Sequence, residues 1–122
     1  MYHNFKELKS WQLSRVIVLS IYKTTKLFPN DEKFGLISQM RRAAVSISSN
    51  IAEGCGRRTE KELIQFLHIA LGSSYELETQ LILSSDLEFI DNSILNNTTS
   101  SLQELQRILH GHIKSLENKI NR

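Results

Sequence analysis

A chain of 122 residues with one proline, one cysteine and five glycines has little with which to interrupt or crosslink itself. A lone Cys55 excludes an internal disulfide, and Pro29 is the only position at which an imino ring must break a helix. The longest apolar run, Val16 to Leu19, is far shorter than the roughly 20 residues that cross a bilayer, which excludes a membrane-spanning helix. No charged-then-apolar leader opens the chain, so a reducing cytoplasm is expected. Metal-ligating spacing is missing as well: His110 and His112 point in different directions on a helix, while His3 and His68 stand isolated. The stretch "GCGRR" lacks the preceding strand and the lysine of a phosphate loop and reads as a helix stop. No cofactor is expected. The length suits one domain, residues 1–122, able to bury a core without metal or crosslinks.

What is present is helical periodicity. Segments from about Leu8 to Lys26, Asp31 to Glu53, Glu60 to Leu87 and Asn92 to Lys119 carry apolar residues at alternating three- and four-residue steps. The seams are Leu13, Val16, Ile17, Ile21 and Phe28; Ile37, Met40, Ala44, Ile47 and Ile51; Leu63, Leu67, Ala70, Ser74, Leu77 and Leu81; and Leu95, Leu102, Leu105, Leu109 and Leu116. Short joints between such helices predict an all-α, antiparallel up-down four-helix bundle. Thr59 with Glu62 has capping-box spacing, Gly54 suits a left-handed helix stop, and Asn30 and Asp91 suit N-caps. The run "NNTTSS" at 96–101 competes with its own backbone and predicts fraying or a break.

Two features go beyond a core. The first helix has a second apolar face, Trp11, Val18, Leu19 and Tyr22, which one core cannot absorb and which predicts a homo-oligomer interface. Charge is also divided: residues 1–58 hold ten lysines and arginines against four acids, the remainder five against nine. Antiparallel pairing of the first two helices sets Arg15 near Arg42 and gathers Arg15, Lys23, Lys26, Arg41, Arg42, Arg57 and Arg58 into a basic flank, a candidate for nucleic-acid phosphates. No aromatic interleaves these arginines in the sequence, so base-specific reading is not implied. Ring-closing ion pairs to Glu76, Glu78 or Glu88 are the competing use of the same charges.

The stretch "QMRRAAVSISSNIAEGCGRR" at 39–58 is poor in bulk, so a neighbouring helix can come close. Arg42, Ser46, Asn50 and Glu53 make a polar strip there, read as a structural contact to an adjacent helix or subunit. For catalysis, Cys55 lacks a base although Arg57 and Arg58 would favour its thiolate. "RILHGH" places Arg107 and His112 at the spacing used by the helical-bundle ribonucleases known as HEPN proteins. An arginine could hold phosphate there while histidine moves a proton, which is the enzymatic alternative to a binding protein. No other catalytic set is evident, and the expectation is a protein that is not an enzyme.

Phe28-Pro29, Phe34-Gly35-Leu36, Gln39 with Arg41-Arg42, Asn50-Ile51-Ala52-Glu53-Gly54, and Ala70 with Gly72-Ser73 before Glu76-Leu77 together resemble a known pattern. It is that of the small bacterial proteins encoded by intervening sequences in large-subunit ribosomal RNA genes, also called ribosomal S23-type proteins. The resemblance spans almost the whole chain, although residues 91–122 match only in type of helix. It implies a four-helix bundle assembling into rings, typically homopentamers, and assigns no activity to most members. Relatives in diversity-generating retroelements are accessory subunits that bind a reverse transcriptase and nucleic acid. The expected partners are therefore other copies of the chain, RNA or DNA, and a reverse transcriptase or other protein, with no membrane.

Overall fold

The computed structural model describes residues 4–121, and the long elements in it are all helical: α1 (Lys9–Thr25), α2 (Ser38–Cys55), α3 (Glu60–Asp86) and α4 (Asn92–Ile120). A short 3-10 turn, Phe5–Glu7, leads into α1 and is capped by the Asn4 side chain, which accepts from the Lys6 amide. At 27 and 29 residues, α3 and α4 are the longest helices, about 40 and 44 Å.

Cross-helix contacts fix the directions. Ser14 meets Ser48 and Arg41 reaches Thr25, so numbers rise along α1 as they fall along α2. Ser46 with Ser73 and Met40 with Ser84 do the same for α2 and α3, and Glu78 with Gln106 and Tyr75 with His110 for α3 and α4. Each helix packs on its chain neighbours, α1 also packs on α4, and the diagonal pairs barely touch. This is an antiparallel up-down four-helix bundle.

The core follows the seams. Ile17 and Ile21, Met40, Ala44, Ile47 and Ile51, all six seam residues of α3 from Leu63 to Leu81, and Leu102, Leu105, Leu109 and Leu116 are buried. Leu13, Ile37 and Leu95 sit half-buried at the rim. Val16 departs from its expected place and is 61% exposed. It lies over a depression of about 130 Å³ between α1 and α4, where Ser20, Asn97, Thr98 and Ser101 are too short to cover it.

The small residues of α2 work as close-packing surfaces. Ala43 and Ala44 are fully buried, and α2 with α3 forms the most extensive helix interface in the bundle. The left-handed stop that the sequence suggests at Gly54 does not form, because no glycine here has positive φ. It is buried inside α2, which continues to Cys55 with Gly56 as its C-cap. Only hydrogen fits at Gly54 because α3 crosses there: a Cβ would lie 2.8 Å from the Phe66 Cβ and 3.0 Å from Leu63 Cδ1.

The other joints also show how side chains choose helix ends. Thr59 and Asp91 cap α3 and α4, accepting from the Glu62 and Ile94 amides at 3.1 and 2.8 Å. Asn30 is not the cap of α2: it lies in a 3-10 turn, Asn30–Glu32, followed by a wide turn at Lys33–Ile37 that breaks at Gly35. There the Glu32 carboxylate accepts from the Leu36 amide at 3.2 Å, so regular α-helix begins only at Ser38. The expected break at 96–101 does not occur. Thr98 is buried, Ser101 Oγ donates to the Asn97 carbonyl at 3.2 Å, and α4 is continuous. Packing of Thr98 and Leu102 outweighs the local competition for backbone groups.

Candidate nucleic-acid and self-association face

One face of the molecule, shared by α1 and α2, carries most of the candidate residues. Trp11, Arg15, Val18, Leu19, Val45 and Ser48 line a shallow groove of about 200 Å³. Farther along, Tyr22, Lys33, Phe34, Ile37, Arg41 and Val45 line an open cleft of about 520 Å³, and Arg42 and Ser38 complete it. Val45 belongs to both, so the two are continuous. Trp11 is half-buried, edge-on to Phe5 with ring centroids 5.2 Å apart; Val18 is half-buried; Leu19 is 65% exposed and Tyr22 lies at the surface. The apolar residues expected at a self-contact therefore form a strip that folding covers only in part, Trp11 and Val18 packing against the core while Leu19 stays open.

The cations lie among these residues. The Arg15 guanidinium sits 5.6 Å from the Trp11 ring centroid, and that of Arg41 sits 4.5 Å from the ring of Tyr22. Lys33 Nζ lies 5.5 Å from the Phe34 ring. The expectation that no aromatic interleaves the basic flank is thus corrected: Arg15 lies one turn from Trp11 on α1, Arg41 meets Tyr22 across the α1–α2 seam, and Lys33 adjoins Phe34 in the kinked 33–37 turn. The helix register differs as well. Ser14 stands opposite Ser48, which puts Val45 and Ser48, not Arg42, beside Arg15. Arg42 instead turns to α3, where it pairs with Glu76, and Arg42 Nε donates to Gln39 at 3.1 Å. Arg57 pairs with Glu53 at 2.8 Å and stacks 4.7 Å from the Phe66 ring. Lys23, Lys26 and Arg58 are exposed, and none of them forms an ion pair among the described residues.

The polar strip of α2 points toward α3. Ser46 Oγ lies 2.9 Å from Ser73 Oγ, and Asn50 Nδ2 donates to the Ser46 carbonyl and hydroxyl at 2.8 and 3.0 Å. Among the described residues the Glu53 carboxylate pairs with Arg57, four residues on and just past the end of α2. Glu76 is held by Arg42, and Glu78 accepts from Gln106 at 2.9 Å, so neither carboxylate stands idle.

Arg107 and His112, the candidate catalytic pair, diverge. They are five residues apart, about 140° around a helix, which directs them to different sides of α4. His110, not His112, meets Tyr75, at 3.1 Å. Cys55 is fully buried and burial pushes its thiol up, so Arg57, already engaged by Glu53, does not make a thiolate of it. Among the described residues no group of three His, Cys, Asp or Glu side chains gathers to hold a metal, and no helix is long and apolar enough to cross a membrane.

The same architecture occurs in a crystal structure of a protein of unknown function from the S23 ribosomal protein family of Bacteroides thetaiotaomicron. The two superpose with a TM-score of 0.80 and 26% identity over 86% of this chain and 95% of the other. Comparison with curated proteins finds no match. The pattern that defines the 23S rRNA-intervening sequence proteins matches residues 6–111, so with the bundle and the residue motifs in agreement the chain belongs to the 23S rRNA-intervening sequence protein family.

Proposed function

We infer that this protein is a non-enzymatic scaffold or adaptor that self-associates and holds nucleic acid by its phosphates on the α1/α2 face. The observation that carries the reading is charge without compensation: Arg15, Lys23, Lys26, Arg41 and Arg58 make no ion pair among the described residues, while the acids concentrate after residue 58. Uncompensated cations on one face attract a polyanion and carry no base preference of their own. The exposed apolar strip around Leu19 supports contact between copies, and a ring such as a homopentamer would repeat the basic face and multiply weak phosphate contacts. A reverse transcriptase or another protein is the further partner that such a scaffold would present to nucleic acid.

The test is retardation of a mixed-sequence RNA or DNA at several salt concentrations. Binding should fall steeply with salt, and replacing Lys23, Lys26 and Arg58 together by glutamine should reduce the salt slope by about 2 to 3, because each phosphate that is no longer neutralised takes about 0.9 from it. Absence of binding at low salt would refute nucleic acid as the partner. For assembly, Leu19→Asp should lower the mass measured by light scattering without loss of helical content. A wild-type chain that is already monomeric at tens of micromolar would refute self-association.

A further inference from the structure

The cleft at the α2 end of this face has a chemistry that general attraction to phosphate does not require. Arg41 is half-buried and fixed at three points: Nε donates to Thr25 Oγ1 at 2.9 Å, Nη2 to the Tyr22 carbonyl at 3.4 Å, and the guanidinium lies 4.5 Å from the Tyr22 ring. The Thr25 hydroxyl is held in turn, donating to the Ile21 carbonyl at 2.7 Å. All of these protein partners are neutral. A partly desolvated guanidinium without a carboxylate keeps its remaining donors for an outside anion, already oriented. Glu32, the acid nearest in sequence, is engaged by the Leu36 amide, and Glu76 is engaged by Arg42.

Beside this anchor stands Phe34, 87% exposed, the most exposed large apolar side chain described. The turn at 33–37, broken at Gly35, projects it from the bundle, and Lys33 Nζ accompanies it at 5.5 Å from the ring. An exposed aromatic ring in a cleft that also holds two cations suits a base next to its phosphates. A duplex keeps its bases stacked inside, where such a ring cannot reach them, whereas an unpaired strand offers a flat face at every nucleotide.

We propose that the cleft formed by Tyr22, Lys33, Phe34 and Arg41 binds single-stranded nucleic acid, with an unpaired base stacked on Phe34 and the adjoining phosphates on Arg41 and Lys33. The proposal rests on the nucleic-acid reading above and adds the class of strand that the face selects. It leaves the groove at Trp11, Val18 and Leu19 to contact between copies. Arg42, already balanced by Glu76, supports the cleft wall without anchoring phosphate.

Fluorescence anisotropy with a labelled 12-nucleotide RNA of mixed sequence, alone and annealed to its complement at the same salt, tests the idea. The single strand should bind at least about tenfold more tightly than the duplex. Phe34→Ala should reduce single-strand affinity by about tenfold, the loss common for one stacked base, and leave duplex affinity, melting temperature and mass unchanged. Phe34→Trp should restore it. Equal binding of both forms, or single-strand affinity indifferent to Phe34→Ala, overturns the stacking site while leaving the phosphate-binding face intact. Binding of neither form overturns both readings. A changed mass in Phe34→Ala would assign the ring to a contact between copies, and Phe34-dependent binding of an oligoglutamate peptide in place of RNA would assign the cleft to an acidic protein; either result overturns the proposal.

Discussion

Gly54 of α2 crosses Phe66 of α3 so closely that a Cβ on the glycine would stand 2.8 Å from the Phe66 Cβ. Helix propensity favours alanine over glycine by about 1 kcal/mol, but here the added methyl must displace backbone-tethered atoms, which costs about 1–3 kcal/mol. Gly54→Ala is therefore expected to lower the urea midpoint. A stabilised variant would show that the crossing has room for a methyl group.

Gly72 and Gly111 give the opposite sign. Both lie within helices, and a Cβ at either position meets nothing within 4 Å. Alanine at each should stabilise the fold by about 0.5–1 kcal/mol, because only the propensity and the freedom of the unfolded chain change. The same measurement applied to all three glycines separates packing from propensity; a loss of stability at Gly72 or Gly111 would mean that these positions are not open.

Glu88 is the one non-glycine residue with positive φ among those described, at 65°. It occupies the left-handed position after α3, where the Glu88 and Phe89 amides donate back to the Ser85 and Ser84 carbonyls at 2.9 and 2.8 Å. Such a conformation costs a residue with a side chain about 1–2 kcal/mol. Glu88→Gly should raise the melting temperature by about 4 °C, allowing for the greater freedom that glycine loses on folding. A fall in melting temperature would mean that the glutamate side chain contributes more than the strain removes.

Cys55 links burial to pH. Its thiol is raised above the ordinary 9.0 by burial, so the folded chain holds the proton more tightly than the unfolded chain. The resulting stability is fully present below the unfolded value and is lost as pH rises through the folded one. Between pH 8 and 10.5 the wild type should lose stability faster than Cys55→Ala, and thiol-labelling at pH 8 should be slow until the protein is denatured. Equal pH slopes and rapid native labelling would place the thiol at the surface.

The seams were legible in the sequence because their signal is periodic and long. Leu63 to Leu81 could be placed on one side of α3 from spacing alone, and all six residues are buried. The ends were less legible, since they depend on one side chain each. Thr59 and Asp91 act as their spacing suggests, while Glu32 displaces Asn30 by capping an irregular turn instead of a helix. Gly54 was legible as a special position but not for its reason, because a glycine that admits a neighbouring helix and a glycine that turns the chain look alike in one dimension. At the candidate site the charges stand out in the sequence and most of the ring contacts do not. Tyr22 and Arg41 are 19 residues apart and meet only once α1 and α2 take their true register. A matching of small with small would have revealed it, since Ser14 opposite Ser48 sets that register.

The order of the helices around the bundle also bears on how the chain reaches this state. Three of its four interfaces join segments consecutive in sequence, so they form as hairpins at little entropic cost. The fourth, between α1 and α4, must close nearly the whole chain and is the slightest, with Val16 over an unfilled depression. Folding should therefore be fast and led by the α2–α3 hairpin, whose core substitutions slow refolding. α1 docks late, and substitutions along its α4 side mainly hasten unfolding. The helix that carries Tyr22 to Arg41 is then the one most readily released, so the cleft is completed last and lost first.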